Sequence, residues 1–432
     1  MKKILIVFLM VFSVISLTAC GDSSKQFLLK EASEKQNFNN NDYYSEELLD
    51  YINKIDHFSS KISESLYSIS DGNYCSSPIS IYMGLAMTLE CSLGNTRNEI
   101  LNALGVTYEE VSEYTKYIYS YCNRKFFGDS KKDLQGLELL SNSIWFEESI
   151  VLKESGLTSL ADNYNCNSYA VPFKKDNNKA NNALSDFIKD KTKGLINGKL
   201  DCKPSTLIVL LNTFYLKDVW NHIGDDLSFT SNEYNFLNYS SDIISKKFLQ
   251  GYYNPGKVIE KEAYKHFYTN TENGFTINFI LPNDGYSIDE VYNEENINNI
   301  HSISSYNPID DKEEKCYYTR CIFPEFEAKF DKDIRDVLYD DFGIVDLFST
   351  DCDFTNITDT GVLCSNIIHK TKLKVDKTGI EGAAITAVIM PESDAPDEYE
   401  KVYADFVIDK AFGFTITDRL GNTLFSGVVK NI

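Results

Sequence analysis

Positive charge is what this chain has least of relative to its opposite: 42 Lys and Arg against 64 Asp and Glu leave a formal net charge of −22 over 432 residues. A surface that negative repels phosphate backbones, so nucleic acid is a poor partner and none is expected. Histidine is scarce as well, with 5 residues, and none lies near a serine or cysteine in a nucleophile motif. No GxSxG, HExxH, Walker loop, GxGxxG or EF-hand pattern occurs. An enzyme reading therefore starts without a motif, although a triad assembled in space leaves no such trace. The cysteines number 10 but form no CxxC. Cys316 and Cys321, the one close pair, have no second pair to match, so spacing points to no metal site and no cofactor. Most of the thiols are expected to be buried and free.

Long apolar runs are missing everywhere except at the start, "MKKILIVFLMVFSVISLTAC". Lys2 and Lys3 precede an apolar stretch over residues 4–17, and small residues precede Cys20. "LTAC" resembles the lipobox of bacterial lipoproteins, which implies a signal peptide over 1–19, cleavage before Cys20 and lipid on its thiol. The expected address is the outer face of a bacterial membrane, touched through the lipid alone, with plain secretion as the alternative. Residues 20–45, rich in Asn, Ser and Lys, read as a lipidated cysteine and flexible tether ahead of one domain over 46–432. With Cys20 so used, an odd number of cysteines remains and at least one stays unpaired in a monomer.

Beyond residue 45, apolar residues recur at helical spacing through Leu49, Ile52, Ile55, Ile62, Leu66 and Ile69. Pro78 opens a second helix through Leu89. "NTRNEILNALGV" reads as a third, capped by Asn95 or Thr96 and ended by Gly105. "LELLSNSIWFEE" and "STLIVLLNTFYLKDVW" are apolar on both faces and read as buried strands. "GFTINFILPNDG" is a strand closed by a turn, "CYYTRCIFPEFEAKF" is strand-like, and "DIRDVLYDDFG" is an amphipathic helix ended by Gly343. "FVIDKAFGFTITD" and "TLFSGVVKNI" are strands flanking an Arg-Leu-Gly-Asn turn. Helices early and strands late make an α+β pattern. One segment fits none of this. "GAAITAVIMP" carries no charge, is too short to span a membrane, and lacks the polar face of a surface helix.

Several blocks, in shared order over residues 56–432, resemble the serpin family. They are "NYCSSPISIYMGLAMTLECSLGNTRNEIL", "LLNTFYLKDVW", "FPEFEAKFDKDIRDVLYDDFGIVDLFS", "DFTNIT", "IIHKTKLKVDKTGIEGAAITAVIM" and "GNTLFSGVV". The resemblance implies helices packed on a large mixed central sheet, two smaller sheets, and an exposed reactive-centre loop. It also implies no enzyme but a monomeric suicide substrate for serine proteases. A protease would cut the loop, stay attached as an acyl-enzyme, and be carried along as the loop becomes a central strand. Eleven inserted residues would cover roughly 36 Å at about 3.3 Å each. The hinge falls on Gly379, Ile380, Glu381, Gly382, Ala383 and Ala384. Counting from Ile380, the even residues Ile380, Gly382, Ala384, Thr386, Val388 and Met390 are uncharged and can face inward, while Glu381 falls on the other face.

Family spacing puts the cut bond at Ser393–Asp394, within a window between Met390 and Asp397. Small, uncharged residues there suit elastase-like or subtilisin-like proteases, and the lack of Arg and Lys between Gly379 and Glu400 argues against trypsin-like ones. An acid-specific protease, a papain-like cysteine protease, or a non-inhibitory binding role are the alternatives. The resemblance places Ser77, Ser80, Asn212 and His369 in a shutter beneath the opening sheet and Trp220 in the breach where the loop first enters. Three positions depart from the family: Ile380, where Thr or Ser is usual; Gly382, where Ala is; and Glu325, where Lys is commoner. The bulk of Ile380 is expected to slow insertion.

Overall fold

The computed structural model describes residues 23–128, 134–220, 227–251, 254–301, 309–310, 313–364, 367–381 and 399–432. Cys20, the hinge from Gly382 through Ala383 and Ala384, and the whole window holding Met390, Ser393, Asp394 and Asp397 lie outside the described residues.

Helix α1 (Glu46–Ser68) starts where Ser45 Oγ accepts from Leu48 N at 3.3 Å, with Glu46 and Glu47 against the positive end of the helix. Of its expected stripe, Ile52, Ile55, Ile62 and Leu66 are buried, whereas Leu49 is half-buried, with Leu48 taking the inward place, and Ile69 is exposed at the C-cap. Helix α2 (Pro78–Cys91) begins on its proline and is buried almost all round. Helix α3 (Gly94–Leu104) is capped two residues before Asn95 and three before Thr96, at Leu93, which makes no side-chain bond; Gly105 ends it in the left-handed region at φ 69°. Three further helices precede the late strands: α4 (Tyr108–Tyr121), α5 (Glu154–Tyr164) and α6 (Asn177–Lys191). Helix α7 (Glu294–His301) and the short α8 (Arg335–Asp340) follow.

The main sheet is eight-stranded among the described residues. In spatial order it runs β1 (Leu28–Lys30), β3 (Cys166–Val171), β2 (Leu134–Glu147), β4 (Ile208–Val219), β10 (Gly379–Ile380), β9 (Ile368–Asp376) and β8 (Phe326–Asp333), with Lys125–Phe127 flanking β2. A second sheet centres on β5 (Tyr264–Asn270), β6 (Thr276–Pro282), β12 (Phe412–Thr417) and β13 (Thr423–Val429). A third is built on β7 (Lys315–Phe323), which pairs in parallel with β11 (Glu400–Val407). The strand expected as one piece in "CYYTRCIFPEFEAKF" is therefore two, β7 and β8, in different sheets. Pro324 and Glu325 interrupt it, since proline cannot donate to a ladder. "FVIDKAFGFTITD" likewise splits between β11 and β12.

The largest core lies between the main sheet, the second sheet and helices α1 and α2. A separate cluster of Trp145, Tyr169, Phe187 and Leu211 seals α6 onto the opposite face of the main sheet. The nine described cysteines are all free, six of them buried.

The expected flexible tether is corrected by the structure over its described part. Ser23–Phe27 forms a 3-10 turn whose Ser23 Oγ donates to Asp186 on α6 at 2.5 Å. β1 then adds to the edge of β3, antiparallel. Ser33 N donates to Ala161 O at 3.1 Å, Asn165 Nδ2 to Ser33 O at 2.9 Å, and Phe38 stacks on Tyr117 with ring centroids 3.9 Å apart. Composition signalled few apolar residues, but this leader is held by backbone pairing and polar side chains, which need few. No helix among the described residues is long and apolar enough to cross a membrane.

Candidate functional site

The site is the stretch of the main sheet where β4 and β9 stand apart, with Gly379 and Ile380 between them. Gly379 lies opposite Val219 of β4 and Asp376 of β9, and Ile380 opposite Asp218 and Val375. β10 thus separates β4 from β9 at one end of the sheet, by two strand spacings, about 9–10 Å. Among the described residues no ladder joins β4 directly to β9. β4 is 12 residues long, so most of its edge facing β9 is left without a described partner.

Glycine at 379 is required twice over. Its φ is 148°, and a Cβ there would stand 2.0 Å from the Asp218 carbonyl oxygen. Ile380 is fully buried in the main core. Glu381 turns the other way: its N–H donates to Lys374 O at 2.8 Å, and its carboxyl, bonded to Tyr215, is pushed up to about 7 by burial. Glu381 itself lies past the end of β10, in the left-handed region at φ 45°. Glu381 Oε2 is buried without a hydrogen-bond partner among the described residues.

Trp220 closes that end of the stretch. Its Nε1 donates to Asp376 O at 2.7 Å, linking the end of β4 to the end of β9, and its ring packs against Phe323. Beside it Asp218 accepts from Asn273 Nδ2 at 2.5 Å and from Asn273 N at 3.1 Å. Burial lifts Asp218 to about 6.

Midway along, the four shutter residues form two links rather than one. On the β9 side, Ser77 N donates to His369 Nε2 at 3.1 Å, so Nε2 carries no proton and Nδ1 does. Burial pulls this imidazole down to about 3, and it is neutral. Thr371 Oγ1 donates to Cys75 O close by. On the β4 side, Ser80 Oγ donates to Asn212 Oδ1 and Asn212 Nδ2 to Asn142 Oδ1 of β2. Asn142 Nδ2 then reaches Tyr164 O at 2.6 Å. Both halves of the sheet are thus fastened to the start of α2, each by its own bonds. Ser77 Oγ, also assigned here, is buried and unpartnered among the described residues. Asn142, Thr371, Tyr215 and Asp218 escaped sequence reasoning; only strand register brings them here. Glu325, the odd residue of "PEF", accepts from Lys377 N at 3.0 Å and steadies the turn before the hinge.

The large mixed main sheet, parted between β4 and β9 by a glycine-led strand and closed at that end by a tryptophan, is the feature that sets this fold apart. Comparison with known proteins agrees: residues 53–432 match the family described as Serpin (serine protease inhibitor), and the chain belongs to the serpin family. A serpin-like protein of Methanosarcina acetivorans is 25% identical over 382 residues, covering 85% of this chain and 83% of that protein. The corticosteroid-binding globulin of Mus musculus is 27% identical over 353 residues, covering 79% of this chain and 83% of that protein. The crystal structure of Serpin48 from the insect Tenebrio molitor superposes with a TM-score of 0.72 at 19% identity, covering 89% of this chain and 98% of that one, and shows the shared fold.

Proposed function

We propose that this protein is an inhibitory serpin that traps serine endopeptidases of elastase-like or subtilisin-like preference, held at the outer face of a bacterial membrane through lipid on Cys20. The observation that carries the reading is the parting of β4 from β9, with Gly379 and Ile380 between them. Continuing that register would set Gly382 opposite Leu216, Ala384 opposite Phe214 and Met390 opposite Ile208, the first residue of β4. Leu216 and Phe214 belong to the main core and Ile208 packs against it. Of the uncharged even-numbered residues, Gly382, Ala384, Val388 and Met390 would meet the apolar Leu216, Phe214, Leu210 and Ile208, while the hydroxyl-bearing Thr386 would meet the Asn212 amide of the shutter. Ile389 would meet Val209, which packs against the cluster under α6, so the outer face is covered as well.

A protease that opens the loop at Ser393–Asp394 would be dragged with it. Displacement of catalytic atoms by about 1 Å can cost about a hundredfold in rate, so deacylation stalls. The test is a covalent complex with elastase or subtilisin that survives SDS. Ala384→Arg should abolish it and leave only a nicked chain, because a guanidinium at that position would be buried unpaired. Complex formation undiminished in Ala384→Arg would overturn the reading.

A second reading, a ligand-binding serpin without trapping, is favoured by one cavity of about 1020 Å³. It lies between α1, α7 and the second sheet, lined by Asn53, His57, Asn278, Glu295, Thr417 and Arg419 among others. The mouse relative is named for binding corticosteroid. Titration calorimetry with a corticosteroid tests whether this chain does likewise, and heat of binding without a protease complex would favour this second reading.

A further inference from the structure

We propose that Cys122, Glu138 and Asp418 form a buried site for a zinc-class divalent cation where the main sheet meets the β12–β13 turn. One donor atom from each residue lies within 4.8 Å of the other two, and all three residues are buried. They come from three separate elements. Cys122 caps the C-terminal end of α4, Glu138 lies on β2, and Asp418 opens the turn between β12 and β13. The spacing of cysteines along the chain gave no hint of this because the cluster exists only in space.

A second observation is independent of the clustering. Glu138 is 0% exposed, and its Oε1 has no hydrogen-bond partner among the described residues. Its other oxygen accepts from Arg124 Nε at 3.0 Å. A buried carboxylate oxygen left bare is costly unless something fills the position it faces. Asp418 is already oriented as a ligand needs to be. Its Oδ1 accepts from Leu420 N at 2.9 Å and Asn422 N at 3.0 Å, and its Oδ2 from Asn422 Nδ2 at 2.8 Å.

Zinc binds thiolate sulfur at about 2.3 Å and carboxylate oxygen at about 2.0–2.2 Å, which in a tetrahedral site sets neighbouring donors about 3.3–3.6 Å apart. From within 4.8 Å of one another, the donors would draw together by up to about 1.5 Å to reach that. Sulfur with two carboxylates suits zinc, whereas calcium and magnesium take oxygen alone. The fourth position would be left to water.

Two cations face the site. Arg124 is held on Glu138 with its guanidinium 3.6 Å from the centre of the Tyr121 ring, and Lys35 Nζ donates to Asn123 O beside it. With the thiol protonated, Glu138 and Asp418 balance these two charges. Binding would deprotonate Cys122 and release its proton to solvent, leaving one negative charge for the metal to overcompensate by one.

The site would tie β2, on the β4 side of the parting, to the second sheet. Where trapping operates as proposed above, a cation here should slow the parting of β4 from β9 and so slow trapping. That consequence rests on the inhibitory reading, but metal binding does not. The experiment therefore reads binding first, on uncleaved protein without any protease. Protein refolded with Co²⁺ should show a thiolate-to-cobalt absorption band in the near ultraviolet, saturating at one equivalent and displaced by Zn²⁺. Cys122→Ser should abolish the band, and Glu138→Gln should weaken binding at least about tenfold, while Cys316→Ser leaves both unchanged. If Cys122→Ser fails to fold, Glu138→Gln reads the same loss. Folded protein that shows neither the cobalt band nor stoichiometric zinc would overturn the proposal, leaving the carboxylates balanced by Arg124 and Lys35 alone. So would zinc binding that survives Cys122→Ser. If binding holds and trapping is absent, only the inhibitory reading fails.

Discussion

His369 and Glu381 stand on opposite sides of the same space and should answer pH in opposite senses. Burial takes His369 down to about 3 from an ordinary value of about 6.5. The unfolded chain gains a proton below about pH 6.5, and the folded chain does not until about pH 3. Stability should fall across that window, by about 1.4 kcal/mol per pH unit once well inside it. The thermal midpoint of the uncleaved protein, followed from pH 7 to pH 4, checks this, and His369→Gln should flatten the profile. Glu381 is raised to about 7 from 4.5. Its proton is held more tightly in the fold, so this contribution is present at low pH and is lost as pH rises from about 4.5 through 7. It is smaller because the carboxyl is partly solvated. Glu381→Gln should raise stability at pH 8 and leave it unchanged at pH 4. At Gly379 the prediction is steric. Gly379→Ala places a Cβ against the Asp218 carbonyl at an unfavourable φ and should cost more than about 1 kcal/mol, read by chemical denaturation. Period-two alternation made the inward face of Ile380 legible beforehand. Asn142 was not legible, because nothing local in "SNSIW" says that its amide meets Asn212 across a ladder.

Among the elements, the leader departs furthest from its sequence. A polar segment rich in Asn, Ser and Lys normally orders too little apolar surface to fold. Here β3 offers a free edge, and the leader satisfies it with β1. It then adds the Lys30–Glu154 pair at 2.7 Å and the Phe38–Tyr117 stack. An edge to be covered is a property of the whole sheet and leaves no mark on the covering segment. Brief trypsin treatment tests the docking. Lys25, Lys30 and Lys35 should resist cleavage as long as the body does, whereas a loose tether would be cut there at once. The shutter is likewise a matter of elements. Asn212→Ala would strand Ser80 Oγ and Asn142 Oδ1 and should cost about 1–3 kcal/mol, seen as a lower denaturation midpoint. The helices and long strands were readable because their apolar periods are long. The breaks at Pro324 and between β11 and β12 decide which sheet a strand joins, and that choice depends on partners distant in sequence.

At the scale of the whole molecule, the uncleaved chain is expected to sit well above its lowest free energy. Filling the space with about eleven residues would add backbone bonds worth about 1 kcal/mol each, plus apolar burial, a gain on the order of 10 kcal/mol. A larger domain gains roughly 2 °C per kcal/mol or somewhat less, so scanning calorimetry should show the loop-cleaved protein melting on the order of 10–20 °C above the intact one. Equal midpoints would mean that nothing is inserted.

The docked leader also fixes how near the bilayer the protein would ride. Ser23 is already fastened to Asp186, so a lipid on Cys20 would leave only Gly21 and Asp22 between them, about 10 Å at full stretch over the three steps. That is close to the distance over which charge is felt in physiological salt. With Lys2 and Lys3 removed, the net charge of −22 would become −24, and such a molecule would be drawn down by its acyl chains and pushed off by anionic headgroups at the same time, its α6 side held close to the bilayer rather than swinging on a leash.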